Sequence, residues 1–86
     1  MQFSQQFTLT LYTRLGCHLC EMMEQQLNRL QCQFGFAVAI VDVDSDESLT
    51  MQYGGKVPVL AHGEREICHY FFNADAVHHY LQTKTV

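Results

Sequence analysis

Apolar residues change their spacing several times along the chain, and each change marks an element. Phe7-Thr-Leu-Thr-Leu-Tyr12 alternates apolar with hydroxyl-bearing side chains, the period of a strand packed more heavily on one face. Gly16 interrupts it. From Cys20 the apolar positions recur at steps of three and four: Met23, Leu27 and Leu30, with Leu19 and Met22 beside them. That stripe predicts a helix whose other face carries Glu21, Glu24, Gln25 and Asn28. Gly35 is the expected stop. Phe36–Val43 is almost continuously apolar and predicts a strand covered on both faces, as parallel strands usually are.

Ser45 is the expected cap of a short helix, with Asp46 and Glu47 in its first turn, where acidic groups favour the helix dipole. Leu49 and Tyr53 then face inward, and Gly54-Gly55 ends the helix. Lys56–Ala61 predicts a strand with Pro58 near its start, where a missing N–H is tolerated. His62-Gly63-Glu64 makes a turn and Arg65–His69 returns as the second strand of a hairpin. Asn73 is the expected cap of a last helix that buries Val77, Tyr80 and Leu81.

The order is β-α-β-α-β-β-α. Strand–helix–strand connections of this length favour parallel pairing, while the closing hairpin adds antiparallel strands. The fold class is therefore α/β, a four-stranded mixed sheet flanked by helices on both faces. With 86 residues the chain, 1–86, is expected to be one domain, because a second core would have too little chain to bury.

Composition narrows the function. At 48% apolar and 16% charged, the chain has the balance of a packed domain rather than a disordered one. A net charge of −4, with Arg14, Arg29, Lys56, Arg65 and Lys84 scattered, argues against nucleic acid or an anionic membrane as partner. Met1–Phe7 has neither the basic start nor the apolar centre of an export signal, and the longest apolar run, Phe36–Val41, is too short to span a bilayer. A cytoplasmic protein without a membrane partner is expected. In that reducing compartment Cys-x-x-Cys points to redox catalysis or metal rather than to a structural disulfide.

Cys17-His-Leu-Cys20 sits where the first strand hands over to the first helix. With Cys17 at the N-cap, its sulfur meets the unsatisfied N–H groups of the first turn and the positive end of the helix dipole. Such surroundings lower a cysteine pKa from about 8.5 to between roughly 3.5 and 7.5. The thiolate attacks a disulfide, and Cys20, one turn along, attacks the mixed disulfide that results. His18 adds positive charge when protonated, and Leu19 offers an apolar rim. A zinc site would need two more ligands, and neither Cys32, Cys68, His69, His78 nor His79 stands at a common finger spacing. No resident metal is expected.

Tyr12-Thr-Arg-Leu-Gly-Cys-His-Leu-Cys20 and Lys56-Val-Pro-Val-Leu60, with Val41-Asp-Val-Asp44 and Tyr53-Gly54 between them, resemble the glutaredoxin branch of the thioredoxin superfamily over nearly the whole chain. They are most similar to short bacterial glutaredoxin-like proteins with a Cys-His-Leu-Cys site. The resemblance implies a thioredoxin-like fold of glutaredoxin type and a cis Val57–Pro58 bond facing the cysteines. It further implies that the backbone at Val57 pairs with an extended substrate. Arg14 stands where glutaredoxins often carry a cation for a glutathione carboxylate, and Lys56 offers a second charge on the same rim. The chain departs from the commoner Cys-Pro-Tyr-Cys, and Cys68-His-Tyr-Phe-Phe-Asn73 replaces a glycine pair followed by acidic residues.

The expected function is a thiol–disulfide oxidoreductase using the Cys17–Cys20 couple. Arg14, His18, Leu19, Lys56, Val57 and Pro58 are its expected substrate contacts. No bound cofactor is expected, glutathione is a candidate co-substrate, and the partner is a disulfide-containing protein or glutathione. A monomer is the default. The alternatives are a non-catalytic peptide-binding module and a metal or iron–sulfur carrier using Cys17. Elsewhere, Cys32 is expected to be partly buried and Cys68 to lie in the core. Met22 and Met23 are expected in the core stripe, Tyr70–Phe72 in core and lip packing, and His78 and His79 at the surface.

Overall fold

A computed structural model describes residues 7–84, apart from the side chain of Lys84; the residues read above for an export signal fall outside this range except Phe7. In chain order the elements are β1 (Thr8–Thr13), α1 (His18–Phe34), β2 (Ala37–Asp42), a 3₁₀ turn (Val43–Ser45), α2 (Glu47–Tyr53), β3 (Val59–His62), β4 (Arg65–His69) and α3 (Ala74–Lys84). The sheet runs β2-β1-β3-β4. β1 pairs parallel with β2 and antiparallel with β3, and β3 pairs antiparallel with β4. The α/β reading and the element order both hold.

One face of the sheet carries the larger core. Leu9 and Leu11 of β1, Leu60 of β3 and Cys68 of β4 pack with Met23, Leu27 and Leu30 of α1 and with Val77 and Leu81 of α3. The opposite face is smaller: Val43, Tyr53 and Val59 pack with Tyr12, Leu49 and Val57. The rings of Tyr12 and Tyr53 stack there at 4.2 Å. Alternation along β1 thus sends its leucines to one core and Tyr12 to the other, as the period of two requires.

Several expectations are corrected. β2 is an edge strand, not a doubly covered one, and Ile40 is 48% exposed on it. The strand with the alternating pattern, β1, is one of the two with a neighbour on each side, β3 being the other. Asp46, not Ser45, caps α2 by accepting the Ser48 N–H at 3.3 Å, while the Ser45 hydroxyl closes the 3₁₀ turn on the Asp42 carbonyl at 2.6 Å. The third strand begins at Val59 and runs through His62, so the hairpin turn is shorter than expected. Met22 lies outside the core stripe and is exposed, and so is Cys32, because both fall on the solvent side of α1. Tyr70 and Phe71 are exposed rather than packed, while Phe72 packs against the larger core.

The expected helix ends hold. Gly35, at φ +72°, closes α1 with its N–H on the Gln31 carbonyl at 2.9 Å. Asn73 caps α3, its side chain accepting the Ala76 N–H at 3.0 Å.

Candidate functional site

The site begins with a turn. The Cys17 N–H donates to the Arg14 carbonyl at 3.1 Å, and Gly16 between them sits at φ +79°, a conformation open to glycine and strained for other residues. The turn leaves Leu15 at its tip, 94% exposed, and delivers Cys17 to the N-cap of α1. There the Cys20 N–H donates to Cys17 Sγ at 3.1 Å. Cys17 and Cys20 form a disulfide, with Cα atoms 5.2 Å apart. Cys17 is half-buried at the surface and Cys20 is buried beneath it. The two sulfurs therefore differ in access.

The sheet brings the second motif to the same end. Tyr12 pairs with Val59, so Val57 and Pro58 lie level with the residues that lead from β1 to Cys17. The Val57–Pro58 peptide bond is cis. Val59 pairs in turn with His69, and the next N–H, that of Tyr70, donates to the Pro58 carbonyl at 2.9 Å. Tyr70 has φ +65°, rare for a bulky residue, and its hydroxyl donates to the Gly55 carbonyl at 2.7 Å. Tyr70 thus ties the start of β3 to the end of β4.

Arg14 and Lys56 are both engaged inside the molecule. The Arg14 guanidinium donates Nε and Nη2 to the two carboxylate oxygens of Asp44, at 2.9 and 2.8 Å, and Nη1 to the Gly54 carbonyl at 3.1 Å. Gly54 has no room for a side chain, since a Cβ there would strike the Thr50 carbonyl. Lys56 Nζ donates to Glu66 at 2.7 Å, and the other oxygen of Glu66 meets His69 Nδ1 at 2.6 Å. His18 is exposed, and Leu19 and Val57 are half-buried. Neither Asp44 nor Glu66 was legible as the partner of Arg14 or Lys56, because the first pair is 30 residues apart and the second, 10 apart, is joined only by the pairing of β3 with β4.

Hydrogen bonding to the Arg14 guanidinium holds the Asp44 carboxyl below the usual carboxylate range, against a smaller opposing desolvation. Lys56 does the same to Glu66, helped by His69. A depressed folded pKa adds stability above the ordinary carboxylate range, which is lost as pH falls through the folded value. Urea unfolding of the wild type and Asp44→Asn from pH 7 to pH 2 checks this. The wild type is expected to be the more stable at pH 7, with the difference vanishing at the acid end.

A cavity of about 290 Å³ opens on both cysteines and is lined by Thr13, Arg14, Leu15, Glu21, Glu24 and Asp42, among others. Glu21 and Glu24 are four and seven residues beyond Cys17, spacings that share its helix face. That signal was present in the sequence and unused. A larger cavity of about 650 Å³ lies against β4 and the turn into α3, includes Cys68, and touches neither Cys17 nor Cys20. Burial pushes the Cys68 thiol up, which suits a core residue rather than a nucleophile. Among the described residues, no cluster of three or more His, Cys, Asp or Glu converges as a metal site. Nor is any helix there long and apolar enough to cross a membrane.

A mixed four-stranded sheet with helices on both faces, and a close cysteine pair at the first strand-to-helix junction, is the thioredoxin-like architecture. The family model described as Glutaredoxin-like domain (DUF836) matches residues 8–82, and the chain belongs to that family. The solution structure of protein Ne2328 from Nitrosomonas europaea is 36% identical, with a TM-score of 0.81 over 93% of this chain and 96% of that one. Protein XcR50 from X. campestris is 34% identical, with a TM-score of 0.70 over 87% and 96%. A mutant thioredoxin from Halobacterium salinarum is 28% identical, with a TM-score of 0.64 over 92% of this chain and 74% of the thioredoxin. Family, fold and cysteine pair together support a redox-type function.

Proposed function

We propose that this protein is a cytoplasmic thiol–disulfide oxidoreductase. The Cys17 thiolate attacks a substrate disulfide, forming a mixed disulfide and releasing one substrate thiol. The Cys20 thiolate then attacks the Cys17 sulfur, releasing the second thiol and leaving the Cys17–Cys20 disulfide. The substrate disulfide gains two electrons and the protein dithiol loses them. Val57 and Pro58, with His18 and Leu19, form the rim against which the substrate lies. Arg14 and Lys56 complete that rim. The protein acts as a monomer on a disulfide-bearing polypeptide or glutathione and needs no bound cofactor.

The observation that carries this reading is the asymmetry of the pair. Cys17 is accessible, with its sulfur accepting an N–H at the helix start, while Cys20 waits buried one turn along. Likeness to a thioredoxin supports the same chemistry. Equilibration in glutathione buffers of defined ratio, followed by thiol trapping and intact mass, tests it. A reversible two-electron transition confined to Cys17 and Cys20 is expected, with a midpoint inside the range of roughly −270 to −120 mV of this superfamily. A pair that fails to oxidise and reduce under these conditions overturns the proposal.

A further inference from the structure

We propose that the cysteine pair selects cationic polypeptide disulfides and discriminates against anionic ones, oxidised glutathione included. This rests on the exchange activity proposed above and names its substrate class. Charge at this end of the sheet is the first ground. Each Arg or Lys beside the site is matched by a carboxylate: Arg14 by Asp44 and Lys56 by Glu66. Whether or not those pairs exchange partners, their charges cancel for an approaching substrate. Arg29 is twelve residues beyond Cys17 on α1, about 18 Å along the helix axis. Arg65 lies at the opposite end of β4, over the Tyr80 ring at 5.7 Å.

The cavity on the disulfide is the second ground. Glu21, Glu24 and Asp42 line it together with Arg14, whose guanidinium is paired with Asp44 and lies in the field of Asp42; among the described residues no Lys, Arg or His forms an ion pair with Glu21 or Glu24. These carboxylates therefore set the sign of the field where the substrate sulfur must arrive. With Arg14 offset by Asp44 the lining keeps an excess of negative charge, and charge of one sign focused in a cleft changes association rates by roughly 10–10³-fold. The third ground is apolar. Leu15 stands 94% exposed at the turn before Cys17, and Tyr70 and Phe71 are exposed where β4 ends. An extended polypeptide brings side chains to cover them. Glutathione, a small net anion, brings none beyond its cysteine.

In the reduced protein the Cys17 thiolate attacks one sulfur of the peptide disulfide, the S–S bond breaks, and the leaving peptide thiolate takes a proton from water. Cys20, giving up its proton to solvent, then displaces the second peptide chain as a thiolate. Every electron comes from the protein dithiol, so one turnover needs no other reductant.

The test is single-turnover exchange at pH 8 by the fully reduced chain. The substrates are oxidised glutathione and three synthetic disulfide peptides that differ only in flanking residues: lysine, glutamine or glutamate. Rates are compared as ratios, in which the Cys17 thiolate fraction cancels. At low salt the lysine peptide is expected to react about 10–100 times faster than the glutamate peptide and glutathione. The ratio is expected to shrink towards unity at 1 M salt, where the Debye length is about 3 Å. Glu21→Gln/Glu24→Gln is expected to shrink it at low salt, with circular dichroism checking its fold. Equal rates for the three peptides, or a lysine preference indifferent to both salt and the glutamine substitutions, overturns the selection while leaving exchange standing. Absence of exchange with the glutamine peptide as well overturns the reaction and the selection together.

Discussion

Cys17→Ser is expected to reduce disulfide exchange to the background of an unstructured thiol, while Cys20→Ser still attacks and then stops as a mixed disulfide. The reason lies in the roles proposed for the two cysteines. Of the two, Cys17 combines surface access with an N–H directed at its sulfur, so in the proposed reaction it is the thiolate that meets substrate. A serine hydroxyl at the same cap accepts the same N–H but is not ionised near neutral pH and does not attack sulfur. Cys20, buried against the core, is placed to finish the reaction rather than to begin it. Intact mass after a brief exposure to oxidised glutathione separates the variants: no adduct on Cys17→Ser at the site, one stable glutathione adduct on Cys20→Ser. The pH profile of alkylation at Cys17 in the reduced protein is expected to rise through a midpoint below that of a free thiol, about 8.5. An ordinary midpoint would remove the helix start as the source of reactivity.

Leu60→Ala is expected to cost about 2–5 kcal/mol, as large-to-small changes in a closed core do. Leu60 is fully buried on β3, paired with Leu11 on one side and Cys68 on the other, so the void it leaves has backbone on both flanks and cannot collapse easily. Against a total stability of about 5–15 kcal/mol for a domain, that loss is large. At about 4–8 °C per kcal/mol for a chain of this size, the midpoint of thermal unfolding is expected to fall by roughly 10–30 °C. Ile40→Thr is the contrast: an exposed β-branched residue replaced by another on the edge strand, with an expected change within about 0.5 kcal/mol. Urea and thermal unfolding of both variants check the pair. Similar losses at the two positions would contradict the assignment of Leu60 to the core and Ile40 to an open edge.

The sequence by itself determined what is decided over a few residues. The stripe Met23, Leu27 and Leu30, the stop at Gly35 and the cap at Asn73 were legible because helix period and capping are local. So was the cysteine at the start of α1. Its partners were not. Which strand is central, why Ile40 lies open on an apolar strand, and why Arg14 and Lys56 are engaged by Asp44 and Glu66 rather than free for an anion depend on which segments pair across the sheet. The left-handed backbone of Tyr70 is likewise set by its two hydrogen bonds to the 55–58 segment. Arg14 and Asp44 are 30 residues apart, and no local spacing encodes a contact of that range. Only the closing of β1 against β2 and β3 brings such residues together, so the tertiary structure decided the charge around a cysteine pair whose place at the strand-to-helix junction was already readable.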